Sequence, residues 1–140
     1  MKELSLITVL LTLFIAFMFS FCGGKGKRPA DISMSLWEYT KKGDYKKAAE
    51  VWYDNAAFDQ DAPAEFSKKE TVDMLALKLE ESQADKSKIK DVRLVGEEID
   101  KKAGTAFVTI LIIYDDGTEE ETIDNYIKVD GAWKIDMGKK

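Results

Sequence analysis

The sequence predicts an α+β domain in which three helices come first and pack on a curved antiparallel sheet of about four strands, behind an N-terminal signal segment. Three observations carry that expectation. The apolar periodicity changes once, from helical spacing before Lys88 to alternation after it. Turn signals with glycine, Gly104, Asp116-Gly117 and Asp130-Gly131, divide the second half into strand-length pieces. An uncharged apolar run from Leu4 to Phe21 follows Lys2 and ends at Cys22, the single cysteine of the 140 residues.

That opening run reads as a secretion signal, with residues 1–21 as a lipoprotein signal peptide. A charged start, an apolar stretch and an abrupt change to Gly23-Gly24-Lys25-Gly26-Lys27-Arg28 are what a signal peptidase site needs, because the helix has to stop where cleavage occurs. Cys22 then becomes the lipid attachment site, carrying acyl chains such as palmitate. Ser20 suits the tripeptide ahead of such a cysteine, whereas bulky Phe21 does not. Spanning a bilayer takes about 20 apolar residues, so an uncleaved transmembrane anchor stays open beside lipidation, as does a secreted soluble product. The first two place the chain in the bacterial cell envelope, on a membrane and facing the periplasm or exterior.

Residues 22–30 form a tether and 31–138 the folded domain. Asp31 is the expected N-cap of a first helix whose face is Ile32, Leu36 and Tyr39, ending at Lys42 with Gly43 as the left-handed residue. Asp44 starts a second helix with a stripe of Tyr45, Ala48, Ala49, Trp52 and Ala56. A loop with Asp59, Asp61 and Pro63 leads to a capping box, Ser67 with Glu70, in which each side chain satisfies an otherwise unpaired backbone donor. The third helix uses Val72, Leu75, Ala76 and Leu79, and is expected to fade in the polar stretch from Glu80 to Lys88.

The first strand, Ile89 to Ile99, has an uneven alternation that implies a bulge near Gly96. The second, Thr105 to Tyr114, is apolar on both faces, with Phe107, Leu111 and Ile113 on one and Val108, Ile110 and Ile112 on the other. Such a strand is central or has its outer face covered, and a homodimer through the sheet is one way to cover it. Tight turns separate Glu119 to Val129 and Ala132 to Met137, completing a meander. In the third strand Thr122, Asp124, Tyr126 and Lys128 share one face and Ile123, Ile127 and Val129 the other. The apolar face is the expected partner of the helices, which leaves the polar one to water or to a partner.

Composition narrows the function. About 118 residues remain beyond the signal, enough for one domain with one core. Lys2 and Glu3 cancel, so the mature chain keeps the net charge of −5, and its mixed acidic surface argues against nucleic acid. With its cysteine at the N-terminus, the domain has no intrachain disulfide. The chain contains no histidine, which removes the commonest general base and transition-metal ligand and excludes Ser-His arrangements. Asp54, Asp59 and Asp61 lack the ligand spacing of a calcium loop. No catalytic residue, metal or cofactor is assigned. The aromatic residues are the better lead: Trp37, Trp52, Tyr53, Phe58, Tyr126 and Trp133 are the expected lining of a pocket for a small apolar ligand, set against ordinary core packing.

Lys42-Gly43-Asp44-Tyr45-Lys46-Lys47-Ala48-Ala49, Ile89-Lys90-Asp91-Val92, Gly104-Thr105-Ala106-Phe107-Val108, Asp116-Gly117-Thr118 and the closing Val129-Asp130-Gly131-Ala132-Trp133-Lys134-Ile135 together resemble the signature stretches of a family of small bacterial lipoproteins. That family carries a domain of unknown function of the nuclear transport factor 2-like superfamily, a cone-shaped fold of cystatin-like, lumazine-binding-like outline. The resemblance spans Asp31 to Met137 and implies the fold, a lipid tether and a pocket in the cone, with no established activity. The expectation is therefore a membrane-tethered, non-enzymatic binding or accessory module for a small apolar ligand or a protein partner. An isomerase-like or hydrolytic enzyme with a carboxylate base and a Tyr donor is the alternative, and it requires a buried carboxylate beside a tyrosine, with a raised pKa.

Overall fold

The computed structural model describes residues 27–58 and 67–138. The signal segment, Cys22 and most of the tether lie outside the described residues, as do Asp59, Asp61 and Pro63. Three helices, α1 (Pro29–Lys41), α2 (Tyr45–Asn55) and α3 (Lys68–Ala84), precede four strands, β1 (Ile89–Asp100), β2 (Thr105–Tyr114), β3 (Glu119–Val129) and β4 (Ala132–Ile135). The strands pair in sequence order, all antiparallel, as one sheet.

Helix α1 starts ahead of the expected Asp31 cap: Arg28 is the N-cap and Pro29 opens the first turn. Proline costs nothing there, because the backbone N–H it lacks would have no helical partner. Asp31 instead sits in the first turn, where its charge favours the helix dipole. Gly43, at φ 74°, ends the helix, with Asp44 N–H donating to Tyr39 O and Gly43 N–H to Thr40 O, both at 3.0 Å. The Asp44 side chain then accepts from Lys47 N–H at 3.2 Å and starts α2. Ala48 and Ala49 are fully buried in α2, which packs on both α1 and α3.

The capping box at the start of α3 is formed in both directions. The helix runs to Ala84 and ends inside the polar stretch from Glu80 to Lys88 where it is expected to fade. Its last turns are rich in good helix formers and lie exposed, and a helix can be propagated without burying a face. Helix α3 packs chiefly on α2 and stands off the sheet. At its far end Lys86 donates to Glu120 at 2.9 Å, and Tyr114 donates to the same carboxylate at 3.0 Å, tying the helix exit to the β2–β3 hairpin.

Strand β1 carries the expected irregularity between Leu94 and Gly96, and a second one between Ile89 and Asp91. The extra residue at the bulge shifts the alternation by one, so that Glu97 pairs with Val108 and turns to the inner face. There Glu97 accepts from Ala30 N–H at 2.8 Å and from the Arg28 guanidinium. The first turn of α1 is thereby tied to the sheet at the point where the tether enters. Strand β4 ends at Ile135 rather than Met137, and the chain after α2 joins its edge through Ala56 and Ala57 N–H, which donates to Ile135 O at 3.0 Å.

The core lies between α1 and the inner sheet face: Ile32, Val92, Ala106, Val108, Ile110, Ile112, Tyr114 and Tyr126. All of β2's even-numbered residues are buried. Pairing carries this phase into β3, where Ala106 faces Tyr126, Val108 faces Asp124 and Ile110 faces Thr122. The polar face of β3 is therefore the one that meets the helices, which reverses the expectation from its sequence. The apolar face, on which a homodimer contact is expected, carries Ile123 at 58% exposed beside Phe107 at 48% and Val95 at 56%.

This phase is directly testable. Ile110→Ala, at a fully buried site, is expected to cost about 2–4 kcal/mol in urea denaturation, whereas Ile123→Ala should stay within about 0.5 kcal/mol. Equal losses would contradict the inward phase.

Candidate functional site

The reversal places hydrogen-bonding groups inside the domain. Tyr126 is 2% exposed, and its hydroxyl hydrogen-bonds the buried Ser33 hydroxyl on α1. A buried phenol needs such a partner, since leaving it unpaired costs about 1–3 kcal/mol. Ser33 also stabilises the ionised carboxylate of Asp124. Hydroxyls are donor and acceptor at once, so Tyr126, Ser33 and Asp124 form one short polar chain under α1. Trp37, one turn along from Ser33, points its indole N–H into the same region. It acts on Asp124 as a stabilising donor, yet makes no well-formed hydrogen bond and stays only partly satisfied.

Electrostatics follow from that burial. Desolvation pushes the Asp124 carboxyl above its usual value, and the Ser33 and Trp37 donors offset part of the rise. Burial likewise raises Tyr126 well above an ordinary phenol; Ser33 works against this, while the charges of Asp124 and Glu97 add to it. The pair therefore favours its protonated forms.

Beside this chain lies a partly enclosed cavity of about 300 Å³. Leu36 of α1 and Trp52 of α2 form one side, Ile135 of β4 another, and Asp124 with Tyr126 the floor. Helix α3 supplies the remaining wall through Leu75, Lys78, Leu79 and Ser82, one stripe at i, i+3, i+4 and i+7. The cavity exists because α3 stands off the sheet, so its apolar stripe faces space that no strand side chain fills. Mostly apolar walls with a few convergent polar groups are the usual make-up of a small-molecule site.

Of the six aromatic residues expected to line a pocket, the structure brings Trp52 and Tyr126 into the cavity. Trp37 packs against the core and aims its indole at Asp124. Trp133 packs on the same core under the Lys128 ammonium, 5.4 Å from its ring centre. Tyr53 and Phe58 pack with their rings tilted at 46° and 4.9 Å apart, and Phe58 meets Trp52 edge-on at 5.9 Å, so they brace the Trp52 wall without lining the cavity. Cys22 lies outside the described residues. Of the acidic triplet weighed for calcium, Asp54 pairs with Lys68 at 2.8 Å, and among the described residues no carboxylate cluster could hold a metal. Asp124, Ser33 and Lys78 were not singled out from the sequence. The only local signal for Asp124 was its place two residues from Tyr126 on one strand face.

A protein-family profile described as a domain of unknown function, DUF4878, matches residues 20–136. The chain belongs to the DUF4878 family. No curated protein matches this DUF4878 chain in sequence. Among solved structures, it is similar to a Campylobacter jejuni protein described as an NTF2-like transpeptidase, at 14% identity and a TM-score of 0.58, over 80% of this chain and 100% of that one. That likeness shows the NTF2-like fold. A SEC-C motif containing protein from Rhodopseudomonas palustris is also similar, at 13% identity and a TM-score of 0.44, over 79% of this chain and 77% of that one. No described helix of the DUF4878 domain is long and apolar enough to cross a membrane.

Asp124 supplies the pH test. Burial favours the protonated carboxyl, so the folded chain keeps this proton to a higher pH than the unfolded chain does. Ionised Asp124 therefore lowers stability above its folded pKa, and this cost fades as pH falls towards the ordinary value of 3.8. Asp124→Asn is expected to raise Tm at pH 7 by about 2–5 °C, the gain shrinking towards zero near pH 4. A lower Tm at pH 7, or a difference independent of pH, would contradict the burial of this charge.

Proposed function

We propose that this DUF4878 protein is a membrane-tethered, extracytoplasmic binding domain that holds a small, largely apolar molecule in the cavity between α3 and the sheet. The observation that carries the reading is the cavity itself, with its apolar walls and with Asp124 and Tyr126, both served by the buried Ser33, on its floor. Apolar walls supply affinity through burial, and the polar floor supplies orientation. The tether has its support in the sequence, an apolar run that ends at the single cysteine and is followed by Gly-rich and basic residues. Five residues separate Cys22 from Arg28, and these six chain steps of ~3.5 Å hold the domain within about 20 Å of its anchor. The Arg28–Glu97 contact would then set which end of the domain faces the membrane.

A second reading is supported by one feature, the raised pKa of Asp124 next to a tyrosine. A carboxyl poised between protonated and ionised forms, with a phenol nearby, can move a proton to and from a bound molecule. Binding is preferred because the Tyr126 hydroxyl is already engaged by Ser33 and is almost wholly buried. If catalysis occurs, Asp124→Asn and Tyr126→Phe abolish turnover while the molecule still binds.

Native mass spectrometry of the chain extracted from membranes of the producing bacterium tests the main reading. The expected mass begins at an acylated Cys22, and unfolding releases a small molecule. Leu79→Trp, which fills the cavity, removes the molecule and leaves the acyl mass. An N-terminus at Met1 would contradict the lipid tether, and a chain that carries the molecule equally in the filled variant would contradict the cavity site.

A further inference from the structure

The charges around the cavity say more about its occupant. Two lining residues carry full charges, Asp124 on the floor and Lys78 on the α3 wall, and their situations differ. The Asp124 carboxylate is served from within by Ser33 and Trp37, and burial biases it towards the neutral form. Lys78, exposed at the mouth, makes no hydrogen bond or ion pair among the described residues. Ser82, one turn further along the same helix face, donates its hydroxyl proton to Leu79 O at 2.7 Å, so Lys78 is the donor this wall offers. The uncompensated charge at this cavity is thus a cation, and it borders an apolar volume where an opposite charge is screened less than on open surface.

We infer that the occupant is an amphipathic anion, an apolar body seated between Trp52, Leu75 and Leu79 with a carboxylate or phosphate group at Lys78. This rests on the reading that the cavity is a ligand site and adds the class of ligand. A positively charged occupant fits poorly. To reach the one carboxylate among the described lining residues it would have to place its charge at the floor, against a group that burial holds towards neutrality, while passing Lys78 at the mouth. An anion needs no such passage, because its apolar end goes in first. The inner end also selects: a hydroxyl there can donate to Asp124, so a body with a polar tip at its far end fits better than a bare hydrocarbon.

Three compounds of one shape separate these possibilities: 3-phenylpropionate, 3-phenylpropanol and 3-phenylpropylamine, titrated calorimetrically into the intact chain in neutral detergent. The acid is expected to bind about tenfold tighter than the alcohol, with the amine weakest. Lys78→Gln should collapse the acid-over-alcohol ratio to within about twofold. The 4-hydroxyphenyl analogue of the acid should bind severalfold tighter than the acid itself, and Asp124→Asn should shrink that gain. Equal affinity for acid and alcohol, tightest binding by the amine, or an unchanged ratio in Lys78→Gln overturns the anionic assignment while leaving the cavity as a ligand site. Binding by none of the three overturns the ligand site as well.

Discussion

Pairing between β2 and β3 decides which side of every strand meets the helices, and the rest of the domain depends on that phase. Strand β2 is apolar on both faces, so either could have been buried. The even-numbered residues are the buried ones, and the ladder then brings Asp124 and Tyr126 under α1. A polar group is tolerated there only with partners. Ser33 provides one for Tyr126, and together with Trp37 it moderates the cost of Asp124. The hydrogen bond between β3 and α1 is thus a consequence of the sheet's phase as well as a fastening of it. The bulge in β1 acts in the same direction by turning Glu97 inward to take the first turn of α1.

The cavity follows from a second asymmetry among the helices. Helix α1 covers the sheet closely, whereas α3 is held by α2 on one side and by the Lys86–Glu120 contact at its end. Both attachments leave the middle of α3 away from the strands. Its apolar residues are spread around the helix, with Met74 and Leu77 exposed on the outer side and Leu75 and Leu79 facing the cavity. An element fastened at its edges, with few buried apolar neighbours, is drawn from the less stable end of a fold. That is where a binding wall able to adjust to an occupant is expected.

Much of this architecture was legible from local chemistry. The Gly43 helix end, the Ser67–Glu70 capping box and the turns at Asp116-Gly117 and Asp130-Gly131 depend only on neighbouring residues, and the bounds of β2 and β3 followed from them. The irregularity near Gly96 was visible as a break in alternation. What was not legible was non-local. The inward face of β3 depends on how β2 sits against α1, and apolar Ile123 and Ile127 argued locally for the opposite face. Ser33 looked like an ordinary helix residue until Tyr126 was placed above it, and Lys78 like one more solvated lysine until α3 stood off the sheet. Aromatic content pointed to Trp52 and Tyr126 but could not separate them from Tyr53 and Phe58, which pack just outside the cavity. The start of α1 was misjudged because Pro29 outweighs Asp31 as a start signal.

Everything proposed about the site rests on Asp124 lying inside the domain. The most direct measurement is the carboxyl carbon chemical shift of Asp124, followed by NMR across a pH titration of the folded chain. An inward Asp124 titrates above 3.8, the value ordinary for an aspartate, and its midpoint falls when Trp52 and Leu79 are truncated and water enters the cavity. A midpoint at or below that ordinary value, unchanged by the truncations, would put the polar face of β3 in solvent.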